Sequence, residues 1–167
     1  MATHTHYAPF LVNNKPNLGK VDDQYIAYFK QQLEALINGL LEEPQMDVDV
    51  RICIKKTNGL SVGRRKKVWH LRKGILPWRS IQIFPNEETD IDTNLSLLKF
   101  YKKNSDDVLA VIWNWACHPV QYHSPKNITA HFPGEIRDHI RNKTQQKIPV
   151  VFLQGFSGDS RPNIIQK

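Results

Sequence analysis

The clearest pattern along the chain is a run of apolar residues at positions 108–112, with the sequence Val-Leu-Ala-Val-Ile. The run is rich in β-branched residues and shows no polar alternation, which is typical of a strand covered on both faces in an α/β sheet. A buried helix segment is the alternative, but the run is short and Pro119 ends it. We predict a strand that delivers His118 to its carboxyl end, where open α/β sheets usually bind their ligands.

A long amphipathic helix is predicted over residues 22–43. Asp22 or Asp23 can cap its first turn, and Pro44 ends it. The apolar positions that recur at helical spacing are Ile26, Phe29, Leu33, Leu36, Ile37 and Leu40. A second helix is predicted around Pro133, with a thin apolar stripe at Ile136 and Ile140.

Three further stretches predict strands. Residues 48–55 alternate between apolar and polar side chains, which indicates one solvated face. Residues 95–102 and 108–117 are spaced to form a hairpin, and residues 150–154 form a buried strand that leads into the glycine-containing loop 155–163. The predicted fold is therefore α/β, a mixed sheet with flanking helices.

Length and composition predict one domain over residues 1–167, with 40% hydrophobic and 23% charged residues. No apolar stretch reaches the roughly 18 residues that span a bilayer, and polar residues follow Met1 where a secretory signal would be apolar. Cys53 and Cys117 are too few for a disulfide framework. We expect two reduced thiols and, by default, a cytoplasmic location.

The net charge of +7 is unevenly distributed. Nine Lys or Arg residues and no acidic residue lie between Arg51 and Lys73. After a turn signal at residues 57–59, the basic segment up to Lys73 is predicted to be extended and partly mobile, and residues 74–77 break it. A short strand is predicted at residues 81–83. The cluster at residues 64–67 can attract nucleic acid, anionic lipid or an acidic substrate, although a solvated hairpin gives the same pattern. Nucleic acid is the least supported, because no binding motif accompanies the cluster.

Histidines are the candidate metal ligands. In an extended chain His4 and His6 would lie on one face, about 6–7 Å apart, where they can share a zinc ion. Two exposed histidines, or the remnant of an expression tag, would give the same pattern. His118 fits a zinc ligand or a core histidine equally well, and His123 and His131 lie close enough in sequence to join it.

Other catalytic templates fit poorly. The sequence has no Gly-x-Ser-x-Gly elbow, phosphate-binding loop or dinucleotide fingerprint. Cys117 and His118 would point to opposite faces of a strand and could not easily share a proton. Asp159 can orient a metal-bound imidazole or bind a hydroxyl group, and a turn-capping role is the alternative.

Three segments together resemble the N-terminal catalytic domain of neutral/alkaline (non-lysosomal) ceramidases. They are Ala-Thr-His-Thr-His at 2–6, Trp-Ala-Cys-His-Pro at 115–119 with Ile-Thr-Ala-His-Phe-Pro-Gly at 128–134, and Phe-Leu-Gln-Gly-Phe-Ser-Gly-Asp-Ser-Arg-Pro-Asn at 152–163. The resemblance implies a zinc enzyme that hydrolyses the amide bond of ceramide to a fatty acid and sphingosine. It also implies that His4 and His118 bind zinc, that His6 polarises the substrate amide, and that Arg64 is an active-site arginine.

The chain departs from the family pattern in its site. Gly63 replaces the usual Asn before Arg64, Arg161 stands where the family has a serine before proline, and His131 stands where relatives have an acid. The family's remaining zinc ligands, a glutamate and a tyrosine, would fall beyond residue 167. The chain is therefore expected to be a fragment of a longer hydrolase, or a member whose site is completed by His131 or by a partner subunit.

The first hypothesis is thus a zinc-dependent hydrolase of an N-acyl amide, with a lipid-like substrate. Zinc would lower the pKa of water to ~7, and His6 and Arg64 would stabilise the oxyanion. The alternative is a non-catalytic ceramidase-like module that binds an anionic lipid surface or another polyanion through residues 64–67.

Overall fold

The computed structural model describes residues 9, 11, 19–120 and 129–163. The described residues form two compact units, which divide between Asp47 and Val48. The prediction of one domain over residues 1–167 stays a prediction. No helix in the described ranges is long and apolar enough to cross a membrane.

The first unit contains helix α1 (Asp23–Glu42), which confirms the predicted long helix. The Asp22 carboxylate accepts hydrogen bonds from the backbone N–H groups of Gln24 and Tyr25, at 2.9 and 3.1 Å. These bonds satisfy two of the N–H groups that a helix leaves without intrahelical partners. Asp22 is therefore the N-cap.

The second unit contains one helix and seven strands in its described residues. In chain order they are β1 (Val48–Lys56), β2 (Ser61–Arg72), β3 (Ile75–Asn86), β4 (Asn94–Lys102), β5 (Val108–Trp115), α2 (His131–Thr144), β6 (Val150–Gln154) and β7 (Ser160–Pro162). One sheet has the order β1-β4-β5-β6 and the other the order β3-β2-β7. Strands β5 and β6 are parallel and the other pairs are antiparallel. A mixed sheet with helices confirms the predicted α/β fold.

The core of this unit lies between α2 and one face of the four-stranded sheet. Trp113, Trp115, Phe152 and Phe132 form an aromatic cluster with Cys117. The Phe132 ring, from α2, lies 5.2 Å from Trp115 and 5.6 Å from Phe152 between ring centroids, both edge to face. Burying these rings supplies most of the apolar contact that holds α2 on the sheet.

Strand β5 is less covered than its composition predicts. Val111, Trp113 and Trp115 are buried, whereas the alternate residues Ile112 and Asn114 are only half-buried. Successive side chains of a strand point to opposite faces, and α2 packs on one of them. The face that carries Val111, Trp113 and Trp115 is therefore buried, the opposite face is half-buried, and the prediction that both faces are covered stays a prediction.

Helix α2 begins where the sequence predicts, but its buried face differs. The buried residues are His131, Phe132 and Gly134, while Ile136 is partly buried against the core. Because the three buried residues belong to the first turn, α2 contacts the core chiefly through its N-terminal end.

The basic segment is more regular than predicted. Strands β2 and β3 form a hairpin of twelve-residue strands with a turn at Gly74, whose φ is +80°. The short strand predicted at residues 81–83 is therefore part of a longer one. Strand β7, which the sequence does not predict, adds to the other edge of β2.

Candidate active site

The carboxyl ends of parallel strands β5 and β6 form the floor of the site. The Gly155 N–H donates to the Trp115 carbonyl at 3.1 Å, which continues the pairing beyond both strands. A Cβ on Gly155 would lie 2.9 Å from the Ala116 Cα, well inside van der Waals contact. The two chain segments can approach this closely only because residue 155 lacks a side chain.

His118 lies two residues after Ala116, where the two segments approach closely, and is 2% exposed. Its Nδ1 is 3.2 Å from the backbone carbonyl oxygen of Ser157. A carbonyl can only accept, so Nδ1 donates, and the neutral ring then carries its lone pair on Nε2. A backbone carbonyl orients the imidazoles of many metal sites in this way.

Two side chains, from the end of β6 and from the loop after it, hold the backbone immediately before His118. The Ser160 hydroxyl, which is fully buried, donates to the Ala116 carbonyl. The Gln154 side-chain amide donates to the Cys117 carbonyl at 3.1 Å. The main chain that leads to the imidazole is therefore held by the last residue of β6 and by the loop that follows it.

Strand β7 brings Arg64 to the same loop. In the β2–β7 pairing Gly63 lies opposite Ser160 and Val62 opposite Arg161. The Arg64 N–H then donates to the Asp159 carbonyl at 2.7 Å. The site therefore joins residues about 100 positions apart in the chain.

The charge of Arg161 acts on Arg64 of β2 and on Cys117, the residue before His118. Burial lowers the pKa of Arg64, and the neighbouring charges of Arg65 and Arg161 lower it further. Arg161 also acts on the thiol of Cys117, although burial dominates there and raises the pKa of Cys117 to about 12. Arg161 thus lies within electrostatic range of both Arg64 and the residue before His118. A guanidinium group whose charged form is disfavoured by burial and by neighbouring cations, as that of Arg64 is, favours an anion beside it.

The thiol of Cys117 and the guanidinium group of Arg161 differ in what they can do chemically. A thiol whose pKa is raised is a poor nucleophile, which agrees with the rejection of Cys117 as a catalytic residue. The Nε–H of Arg161 is buried and has no hydrogen-bond acceptor in the described part of the chain. Arg161 is therefore a functional candidate that the sequence shows only as a departure from a family pattern.

His131 opens α2 in an unusual backbone conformation. It is 2% exposed, and its φ of +49° lies in the left-handed region, which costs a residue with a Cβ about 1–2 kcal/mol. The next residue, Phe132, contacts Trp115 at the end of β5 that leads to His118. Local strain of this kind is concentrated at functional sites.

A polar cavity of about 480 Å³ opens beside the first residues of β2. Its wall includes Gly63, where a Cβ would meet the Asn86 carbonyl oxygen at 2.6 Å. Glu87 and Asp90 also line the cavity. Gly63, which lines the cavity, is the residue of β2 directly before Arg64.

The predicted site residues fall into three groups. The structure brings His118, Arg64 and Asp159 to one loop, although the side chain of Asp159 is exposed and its carbonyl makes the contact. His131 is buried at the start of α2. His4, His6 and His123 lie outside the described residues. Within the described ranges no three His, Cys, Asp or Glu side chains are grouped to hold a metal ion, so the zinc prediction stays a prediction.

Comparison with known proteins gives one result about the fold. No protein-family model matches the sequence, and no curated protein does. Among solved structures, a ceramidase complexed with C2 matches with a TM-score of 0.51 and 16% sequence identity. The match covers 71% of this chain, which spans 17% of the length of the ceramidase chain. The chain therefore has a ceramidase-like fold.

Proposed function

We propose that the chain carries part of the active site of a zinc-dependent hydrolase that cleaves an N-acyl amide of a lipid-like substrate. The observation that carries this proposal is the buried His118 at the carboxyl end of β5, with its Nδ1 held by the Ser157 carbonyl, in a ceramidase-like fold. An imidazole buried at a strand end and held in one tautomer suits a metal ligand.

His118 would hold the zinc through Nε2. The family resemblance adds His4 as a second ligand, and His131 is the candidate for a third. Catalytic zinc takes three protein ligands and a water, so this set of imidazoles fits the metal's coordination chemistry. A zinc ion bound there supplies a water of pKa ~7 and polarises an amide carbonyl.

The charge that develops on the amide oxygen is stabilised by Arg64, with Arg161 beside it. An anion bound beside the half-buried Arg64 would offset the repulsion that this guanidinium group experiences from Arg65 and Arg161. A preorganised donor of this kind contributes about 3–4 kcal/mol to transition-state stabilisation in comparable sites. His6 would polarise the same amide from the other end of the chain.

Asp159 acts in this proposal as a positioning residue. Its carbonyl accepts the Arg64 N–H at 2.7 Å, so it fixes the backbone of β2 at the arginine. Its carboxylate is exposed and can reach a hydroxyl group of the substrate from solvent.

The experiment measures zinc content and hydrolysis of short fluorogenic N-acyl amides in the full chain. We expect stoichiometric zinc in the wild type and loss of both zinc and activity in His118→Ala and in His4→Ala. The matched control is His139→Ala, an exposed histidine on α2, which should retain both. Arg64→Ala and Arg161→Ala should retain zinc and lose activity. If His118→Ala retains stoichiometric zinc, the proposal is wrong.

A further inference from the structure

The β2–β3 hairpin, residues 61–86, is cationic along its whole length. It contains seven Lys or Arg residues and no Asp or Glu. Arg64 belongs to the candidate active site, but the other basic residues lie farther along the hairpin, away from the β2–β7 pairing. We call the segment from Arg65 to Ile83 the basic hairpin.

The tip of the basic hairpin is apolar and exposed. Leu71 is 81% exposed and Leu76 is 87% exposed, on either side of the turn at Gly74. Ile75 and Trp78 are also exposed. Folding ordinarily buries such side chains, so this cluster is a candidate interaction surface.

One face of the basic hairpin combines exposed basic side chains with exposed apolar ones. Because Trp69 pairs with Arg79, Lys67 with Ile81 and Arg65 with Ile83, these six side chains share a face, and all six are exposed. The Arg79 guanidinium lies 4.1 Å from the centroid of the Trp69 ring, so the charged group itself stacks on the indole, and both side chains remain exposed.

The opposite face makes the basic hairpin rigid. The His70 and Trp78 rings stack with centroids 4.9 Å apart, and His70 Nε2 lies 2.7 Å from the Ser80 hydroxyl oxygen. These contacts hold the two strands together independently of any partner. The apolar tip is thus presented on a preformed element.

We propose that the basic hairpin docks the chain on an anionic lipid bilayer, with the aliphatic tip in the headgroup and acyl boundary and the basic side chains on the lipid phosphates. Interfacial segments combine Leu and Trp on one side with Lys and Arg that reach anionic headgroups. Each basic residue near such a surface contributes attraction that salt weakens.

Charge and side-chain type argue against the other occupants. A second copy would bring another set of six positive charges against the first basic hairpin, which is unfavourable at close range. Nucleic acid would match the charge, but Leu71 and Leu76 cannot stack on bases, and Arg79 already covers Trp69. An acyl boundary accepts both the aliphatic tip and the charges.

The test is sedimentation of the full chain with vesicles of phosphatidylcholine, with and without phosphatidylserine. We expect binding to the anionic vesicles, weakened at high salt. Lys66→Ala/Lys67→Ala should reduce the partition coefficient by about 25-fold, and Leu71→Ser/Leu76→Ser by about tenfold or more. The matched controls are Lys55→Ala/Lys56→Ala and Ile52→Ser/Ile54→Ser on β1, where lysine and aliphatic side chains are also exposed. These should bind like the wild type.

Tryptophan fluorescence shows which element touches the lipid. Trp69 and Trp78 are exposed and Trp113 and Trp115 are buried, so a blue shift on vesicle addition should vanish in Trp69→Phe/Trp78→Phe. Failure of the wild type to bind anionic vesicles overturns the proposal. So does wild-type binding by Leu71→Ser/Leu76→Ser, which would indicate a general polyanion site and is checked by titration with single-stranded RNA. Zinc content and amide hydrolysis are separate readouts, so the proposed function stands or falls independently.

Discussion

Substituting Gly155 by alanine tests whether the close approach of the chain segments that follow β5 and β6 builds the site. The added Cβ would lie 2.9 Å from the Ala116 Cα and 3.0 Å from the Ala116 nitrogen, whereas ordinary contact begins at 3.4 Å. Both obstructing atoms belong to the backbone and cannot rotate away. The two chain segments must therefore separate by about 0.5 Å in a closely packed region.

That separation acts on two hydrogen bonds. The Gly155 N–H bond to the Trp115 carbonyl and the Ser160 hydroxyl bond to the Ala116 carbonyl both cross the gap. Each contributes about 1 kcal/mol, and overpacking itself costs about 1–3 kcal/mol. We expect Gly155→Ala to lower the free energy of unfolding by about 2 kcal/mol.

Urea denaturation, followed by far-ultraviolet circular dichroism, measures this change. For a slope of about 2 kcal/mol per molar urea, the midpoint should fall by about 1 M. The control is Gly158→Ala, three residues later in the same loop, where nothing lies within 4 Å of an added Cβ. It should stay within about 0.5 kcal/mol of the wild type. Equal midpoints for the two variants would refute the argument that residue 155 sets the crossing distance.

Three further predictions concern the core, the loop and the buried thiol. Phe132→Ala should destabilise the chain by about 3–5 kcal/mol in urea, because the ring joins α2 to the aromatic cluster, whereas Phe156→Ala should have little effect, since Phe156 is 98% exposed. Ser160→Ala should cost about 1–3 kcal/mol by leaving the Ala116 carbonyl without its donor, and the exposed hydrogen bond removed in Ser105→Ala should cost less than about 0.5 kcal/mol. Burial raises the pKa of Cys117 from 9.0 to about 12, so its contribution to stability is complete below pH 9.0 and is lost as the pH rises towards about 12. A disulfide exchange reagent at pH 8 should therefore modify exposed Cys53 and leave Cys117 intact until urea unfolds the chain; equal rates for the two thiols in the folded chain would contradict this.

The sequence by itself determined the elements whose causes are local. The periodicity of residues 22–43 and the cap at Asp22 or Asp23 depend on neighbours within four positions, so the first helix follows from the sequence, with its N-terminus to within one residue. The β4–β5 hairpin and the strand that ends before His118 also follow from nearby patterns.

The tertiary structure decided how these elements make a site. The tautomer of His118 is set by a carbonyl 39 residues away, and Arg64 joins the same loop through a three-residue strand that has no pattern of its own. In the sequence Arg161 is only a departure from a family motif. In the structure its charge acts on the pKa of both Arg64 and Cys117. Such contacts depend on segments that are distant in sequence and on Gly155, which lets two of them approach closely. Neither feature leaves a periodic pattern in the neighbouring residues.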